Sequence, residues 1–368
     1  MDTSILKDET DLIEHAISQQ HIKTEEKSQS KHQITRKVVC SLSSALPVLH
    51  LFPLPRINNY LRRTEETMPI QEPAHHKLSV TQRIRGVPKA NIKGVKQPRD
   101  GYLPIKQFHS EDLGDGGIAA LHPENISPSI VGLAVDYLTR LQYVDSAEEA
   151  FPIARQGMEK LPELHGIDES EYFNNLMHNV KGLDDNSIIA ACQLAGFDSV
   201  YRAGFYSPIR NIIPDQATIA NIQRMVERCK VFVQKMDGDE DVICGPTFKY
   251  GYTDTVAYGD ADLCTASAMC DIKTSTSIPD KNDTLQVFMY FLLGWHDGRY
   301  DHIDYIALFN PRINTQYYLS IYEIDAEIRR EVELEVLGYS KPNDNLEYIS
   351  SIEPISKEEL TRMGVKFK

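Results

Sequence analysis

Gly259-Asp260-Ala261-Asp262-Leu263-Cys264, followed closely by Cys270-Asp271-Ile272-Lys273-Thr274, is the stretch of this sequence that decides its fold. Both segments alternate polar and apolar residues with a period of two, which is the pattern of a strand with one buried face. Folded about Ala266-Ser267, paired residue numbers sum to 533. Asp262 then stands opposite Asp271, and Asp260 opposite Lys273. Directly opposed residues have Cβ atoms about 4.5–5.5 Å apart.

Alternation puts Asp260, Asp262, Asp271 and Lys273 on one face and Ala261, Leu263, Cys270 and Ile272 on the other. The second face can bury against a helix. Like charges directly opposed destabilise a sheet, so two facing carboxylates point to a cation between them. Hard divalent ions such as Mg²⁺ are bound by one or two carboxylates together with phosphate oxygens. The plainer alternative is an ordinary hairpin whose polar face meets water.

Outward from this hairpin the chain divides by pattern. A helix is expected from Asp283 to Leu293, stopped by Gly294, with Asp283 as a possible N-cap and Gln286 its capping-box partner. A second hairpin, Ile303 to Phe309 and Tyr317 to Tyr322, turns through Asn310-Pro311-Arg312. A charged helix near 325–337 and a tail over 341–368 follow. Upstream, Phe248 to Tyr258 reads as a strand. Residues 145–235 read as a helical insertion with helices near 146–160, 168–179, 185–195 and 215–235. Before it, Asn125 to Leu141 is an amphipathic helix with Ser127 or Ser129 as cap. The expected class is α+β.

Charge is uneven. Residues 1–67 carry nine acids and nine bases, and read as a disordered or non-native extension, with Met68 as an alternative start. Residues 68–110 carry two acids and eight bases and read as a basic arm or linker. The remainder holds 42 acids and 22 bases, and with a net charge of −14 over 368 residues the whole surface is not built to coat nucleic acid. Val38 to Pro55 is too short and too interrupted by proline to span a membrane, so no membrane partner is expected. Six cysteines (Cys40, Cys192, Cys229, Cys244, Cys264 and Cys270) without C-x-x-C spacing fit a reduced, cytoplasmic chain and disfavour structural zinc.

The sequence resembles the PD-(D/E)xK nuclease superfamily, most closely its RecB-type exonuclease branch. Gly259-Asp260-Ala261-Asp262, Asp271-Ile272-Lys273-Thr274 and Gln286-Val287-Phe288-Met289-Tyr290 carry the likeness, with Ala261 where the family has proline. The resemblance implies a restriction-endonuclease-like core, a mixed sheet flanked by helices, within residues 111–340. It implies Asp262 and Asp271 as ligands of Mg²⁺ or Mn²⁺ and Lys273 as the catalytic lysine. It implies Gln286 and Tyr290 as residues that position the lysine or the substrate. Gly132-Leu133-Ala134-Val135-Asp136 matches the family's upstream helix, with Asp136 as third metal ligand; Asp184 and Asp185 are weaker candidates. The implied activity is hydrolysis of DNA phosphodiester bonds in recombination, repair, phage replication or defence, with RNA still open as a substrate.

Two rivals remain: a non-catalytic nucleic-acid-binding protein on the same scaffold, and a nucleotidyltransferase using Asp260 and Asp262 as D-x-D. The latter lacks its Gly-Ser element. Elsewhere, His296, Asp297, Asp301 and His302 could chelate a transition metal, and Arg202, Arg210, Arg224 and Arg228 could meet phosphates. No G-x-S-x-G element supports a serine nucleophile.

Overall fold

Apolar periodicity changes from helical to strand-like near residue 243, and the computed structural model changes layer there. It describes residues 77–114, 121–207, 209–236 and 242–343. The expected N-terminal extension, most of the expected tail and Cys40 lie outside the described residues. Those described all fall within one compact unit.

In chain order the elements begin with β1 (Leu78–Ser79), α1 (Val80–Arg85), β2 (Gly86–Val87), β3 (Ile92–Lys93) and β4 (His109–Asp112). The helical part follows: α2 (Pro128–Arg140), α3 (Ala147–Ala150), α4 (Pro152–His165), α5 (Ser170–Asn179), α6 (Asp185–Ala195), α7 (Asp198–Ala203) and α8 (Gln216–Lys235). Then come β5 (Ile243–Cys244), β6 (Val256–Tyr258), β7 (Leu263–Cys264), β8 (Ala268–Ile272), α9 (Lys281–Asp297), β9 (Tyr305–Asn310), β10 (Thr315–Ser320) and α10 (Ala326–Glu331).

Six strands form one mixed sheet in the order β4-β10-β9-β8-β7-β5. β8 and β9 are parallel and joined by α9, as parallel neighbours require a crossover. Every other pairing is antiparallel. The fold is therefore α+β, with a mixed sheet flanked by helices. Leu263, Cys270, Ala307 and Phe309 share one core with the helical insertion, and Phe309 stacks on Phe232 of α8 at 4.6 Å. α9 covers the opposite face. Burial of each large apolar side chain contributes about 1.5–3 kcal/mol, so this two-sided packing holds β8 firmly in the middle.

The structure corrects several expectations. α9 passes through Gly294 and ends at Gly298, whose φ of +79° suits a left-handed cap. Gly294 stays helical because a side chain there would meet Tyr300 Cβ at 3.1 Å, so its bareness serves packing. Only the last three residues of the expected strand Phe248–Tyr258 are extended. Residues 77–110, expected as an arm, fold onto the body: β1 pairs in parallel with β6, and Val80, Ile84, Leu103 and Phe108 are buried. Apolar positions in a short basic stretch were enough to dock it.

Candidate active site

The assumed hairpin register is the observed one. Leu263 pairs with Cys270 and Cys264 with Met269, both sums being 533. Strand pairing stops there. The preceding residues leave β8 and follow residues 245–247 instead: Ala261 donates to the Pro246 carbonyl and Gly245 to that of Asp262. Asp260 bridges Thr247, and neither Asp260 with Lys273 nor Asp262 with Asp271 forms a strand pair, which corrects the expected register at those positions.

This divergence opens the ladder at the carboxylates. The Ile272 N–H donates to Asp262 Oδ2 at 2.6 Å, so a side chain takes the place of a strand partner. Asp271 is 2% exposed. Lys273 Nζ lies 2.6 Å from Asp271 Oδ2, a buried ion pair in which the ammonium already meets that oxygen.

Lys273 is held from the far side by α9. It donates to Gln286 Oε1 at 3.0 Å, and Gln286 Nε2 donates to the Tyr290 hydroxyl at 2.9 Å. Gln286 is free for this because the helix starts earlier than expected. Asp280 is the N-cap and Asp283 its capping-box partner, so the expected capping role of Gln286 is corrected. Asp283 also stands 3.9 Å from Lys273 Nζ. Tyr290 is buried, its ring against Phe248 at 5.9 Å.

α2 supplies the remaining carboxylate. A side chain at Gly132 would meet Thr274 Oγ1 at 2.7 Å, so glycine lets the helix press on the end of β8. One turn later Asp136 reaches the site, but through a residue that sequence reasoning missed. Arg140, 6% exposed, places Nε 2.9 Å from Asp136 Oδ1. Its Nη2 lies 3.8 Å from Asp260 and 3.9 Å from Asp262. Its only sequence signal is the i,i+4 spacing to Asp136.

The electrostatics follow from burial. The Asp262 carboxyl is pushed well above the ordinary carboxylate range by desolvation, then by Asp271 and Asp136, against Lys273 and Arg140. Asp271 is raised by desolvation, partly offset by Lys273. For Lys273 and Arg140, burial alone would lower the pKa. Asp271 and Asp262 around the lysine, and Asp136 and Asp260 around the arginine, outweigh it, so both are raised and remain cations.

No known family model, curated protein or solved structure matches this chain. The reading of the site thus rests on its own geometry.

The other expected clusters do not form sites. Asp184 caps α6 through Ser187, and Asp185 accepts from Gln216, both away from β8. His296 pairs with buried Glu333 at 2.8 Å, while Asp297 accepts from the Tyr250 amide and from Arg299. Arg210 pairs with Glu169 and Arg228 donates to the Pro311 carbonyl, so both serve the fold. Among the described residues, no group of three or more His, Cys, Asp or Glu is arranged to hold a metal ion. The mutually repelling Asp262 and Asp271 carboxylates are the donors that a hard cation taking further oxygens from phosphate would use. No helix among the described residues is long and apolar enough to cross a membrane.

Proposed function

We propose that this chain is a Mg²⁺- or Mn²⁺-dependent deoxyribonuclease with a restriction-endonuclease-like core. The observation that supports it is convergence: Asp271, Lys273, Gln286 and Tyr290 form one contact chain, and Asp262 joins it through the Ile272 amide between Asp271 and Lys273. Asp262 and Asp271 would hold the metal, with Asp136 as a third carboxylate whose Oδ1 is shared with Arg140. Bound there, the ion would supply charge to stabilise a phosphate in its transition state and to activate water.

The protein's own part is orientation and charge. Asp271 and Asp262 favour the charged form of Lys273, and as an ammonium held by Gln286 it would orient the attacking water and stabilise negative charge. Gln286 accepts from the ammonium and is itself held by Tyr290, which removes its amide-flip freedom. Arg140 can meet a non-bridging phosphate oxygen if drawn from Asp136.

One observation favours a second reading. Arg140 already stands among Asp136, Asp260 and Asp262, which is how a scaffold without metal would neutralise them. That reading makes the protein a nucleic-acid binder without turnover.

Linear and circular DNA incubated with purified protein and Mn²⁺ or Mg²⁺ separate the two. Cutting that is lost in EDTA and in Lys273→Ala is the expected result. Folded wild-type protein that binds DNA in a salt-sensitive way and cuts neither substrate would leave only the second reading.

A further inference from the structure

Near the carboxylates, one part of the molecule presents an aromatic ring and another presents a ring with two cations. Tyr258 ends β6, two residues before Asp260 and four before Asp262, so a short backbone ties it to the site. Its side chain is exposed, and its hydroxyl donates to Gln82 Oε1 at 3.0 Å. Gln82 is also the capping-box residue of α1, so the ring is anchored to a defined helix. A side chain at Gly259 would meet Val80 Cγ2 of that helix at 2.8 Å, which shows how closely the Tyr258–Asp260 turn lies on α1.

From the helical insertion, α7 presents Tyr201 and Arg202. Lys160, on the neighbouring α4, places Nζ 4.7 Å from the Tyr201 ring centroid. Arg202 is half-exposed and is steadied by Asp198 at 3.4 Å. Asp198 is buried and accepts from the Tyr137 hydroxyl at 2.5 Å, so the support beneath the arginine reaches back to α2. Tyr137 adjoins Asp136, whose partner Arg140 stands 3.8 Å from Asp260, so contacts run from Arg202 through Asp198 and α2 to the turn that carries Tyr258. The charge of Asp260 is felt at Arg202 and Tyr201 in keeping with that.

Rings that offer a face, alternating with cations, suit a strand whose bases are unpaired. Stacking needs no particular base, and the cations follow the phosphates. A duplex keeps its base faces covered, so the same surface offers it only charge. A protein partner would not account for two cations placed beside a phosphodiester-cleaving centre.

We propose that Tyr258 and Tyr201, with Lys160 and Arg202, form a stacking platform that receives single-stranded DNA and leads it to Asp262 and Asp271. The proposal rests on the nuclease reading and narrows its substrate to unpaired strands.

The test is fluorescence anisotropy with the full chain in EDTA, where no cutting occurs. The probes are a labelled oligothymidylate, the same length with abasic positions, and a blunt duplex. Oligothymidylate should bind at least about tenfold more tightly than duplex, and abasic positions should remove that preference. Tyr258→Ala and Tyr201→Ala should each weaken oligothymidylate binding about tenfold and leave duplex binding unchanged, while Tyr258→Phe should bind like wild type. Lys160→Ala should flatten the salt dependence by somewhat under one unit of slope.

Equal affinity for duplex and oligothymidylate, or no loss on abasic substitution, overturns the platform, and the abasic arm does so without altering the protein. Failure of the platform while metal-dependent cutting persists leaves the nuclease reading standing. Platform binding without cutting upholds the surface and removes the nuclease reading.

Discussion

Two carboxylate–cation pairs meet at this site, and they are built differently. Asp271 on β8 and Lys273 just past its end lie two apart along an extended segment, at 2.6 Å. Asp136 and Arg140 lie four apart on α2, on one face of a helix, at 2.9 Å. In the strand pair, Lys273 meets a single carboxylate at close range and donates as well to Gln286 of α9. The helix pair is well aligned, and Arg140 reaches two further carboxylates. The first pair joins one carboxylate to a lysine that α9 holds in place; the second spreads one cation over several carboxylates. The first kind fixes the direction of an ammonium, and the second keeps a cluster of buried acids from repelling itself apart.

The largest effect should come from breaking the strand pair. Lys273→Ala is expected to lower metal-dependent DNA cutting by about a thousandfold, as for loss of a key charge-stabilising donor, with the circular dichroism spectrum unchanged. Arg140→Ala should act oppositely, on stability more than chemistry. It leaves Asp136, Asp260 and Asp262 without their buried cation, and urea unfolding should show a loss of about 3 kcal/mol. Equal effects of both substitutions on stability would erase the distinction between the pairs.

Asp262→Asn sharpens the contrast through pH. The folded-state pKa of Asp262 is raised, so the folded chain binds its proton more tightly than the unfolded chain. That contribution is fully present below the unfolded value of about 3.9 and is lost as pH rises through the folded value. Metal-free wild type should therefore lose thermal stability relative to Asp262→Asn as pH rises from about 4. At pH 8 the variant should be the more stable of the two, although inactive. A less stable variant at that pH would mean that Arg140 compensates Asp262 more than burial penalises it.

The smallest effect concerns the support beneath the strand pair. Gln286→Ala keeps every charge and frees the Lys273 ammonium. It should cost about tenfold in kcat with little change in KM, the loss of one neutral hydrogen bond to a charged group. Tyr290→Phe, which removes only the acceptor for Gln286, should cost less still.

Much of this geometry was legible in the sequence because it is local. Strand alternation set Asp262, Asp271 and Lys273 apart from Leu263 and Cys270, and the two-residue turn Ala266-Ser267 set the register. Helical spacing linked Gln286 to Tyr290, while Gly132 and Asp136 were singled out only by the family resemblance. Arg140 was missed because an arginine four residues after an aspartate on a helix is usually a solvated pair. Only the approach of α2 to β8, through bare Gly132 against Thr274, buries it. Asp280 was missed as the cap since Asp283 reads equally well, and the choice depends on where the loop after Thr274 delivers the chain. Residues 77–110 read as an arm because their charge outweighs their few apolar side chains, yet Val80, Ile84 and Phe108 find a surface ready to cover them.

The sequence by itself determined what neighbouring residues can do to one another: the strand faces, the hairpin register, the helix spacing and the change from helical to extended pattern at the insertion. The tertiary structure alone decided where β7 leaves β8, that β8 lies parallel to β9 beneath α9, and that Arg140 stands among three carboxylates. The physical reason is range. Alternation and turn chemistry act over a few residues, whereas burial of charge, and the pKa values it shifts, depends on segments more than a hundred residues apart being packed together.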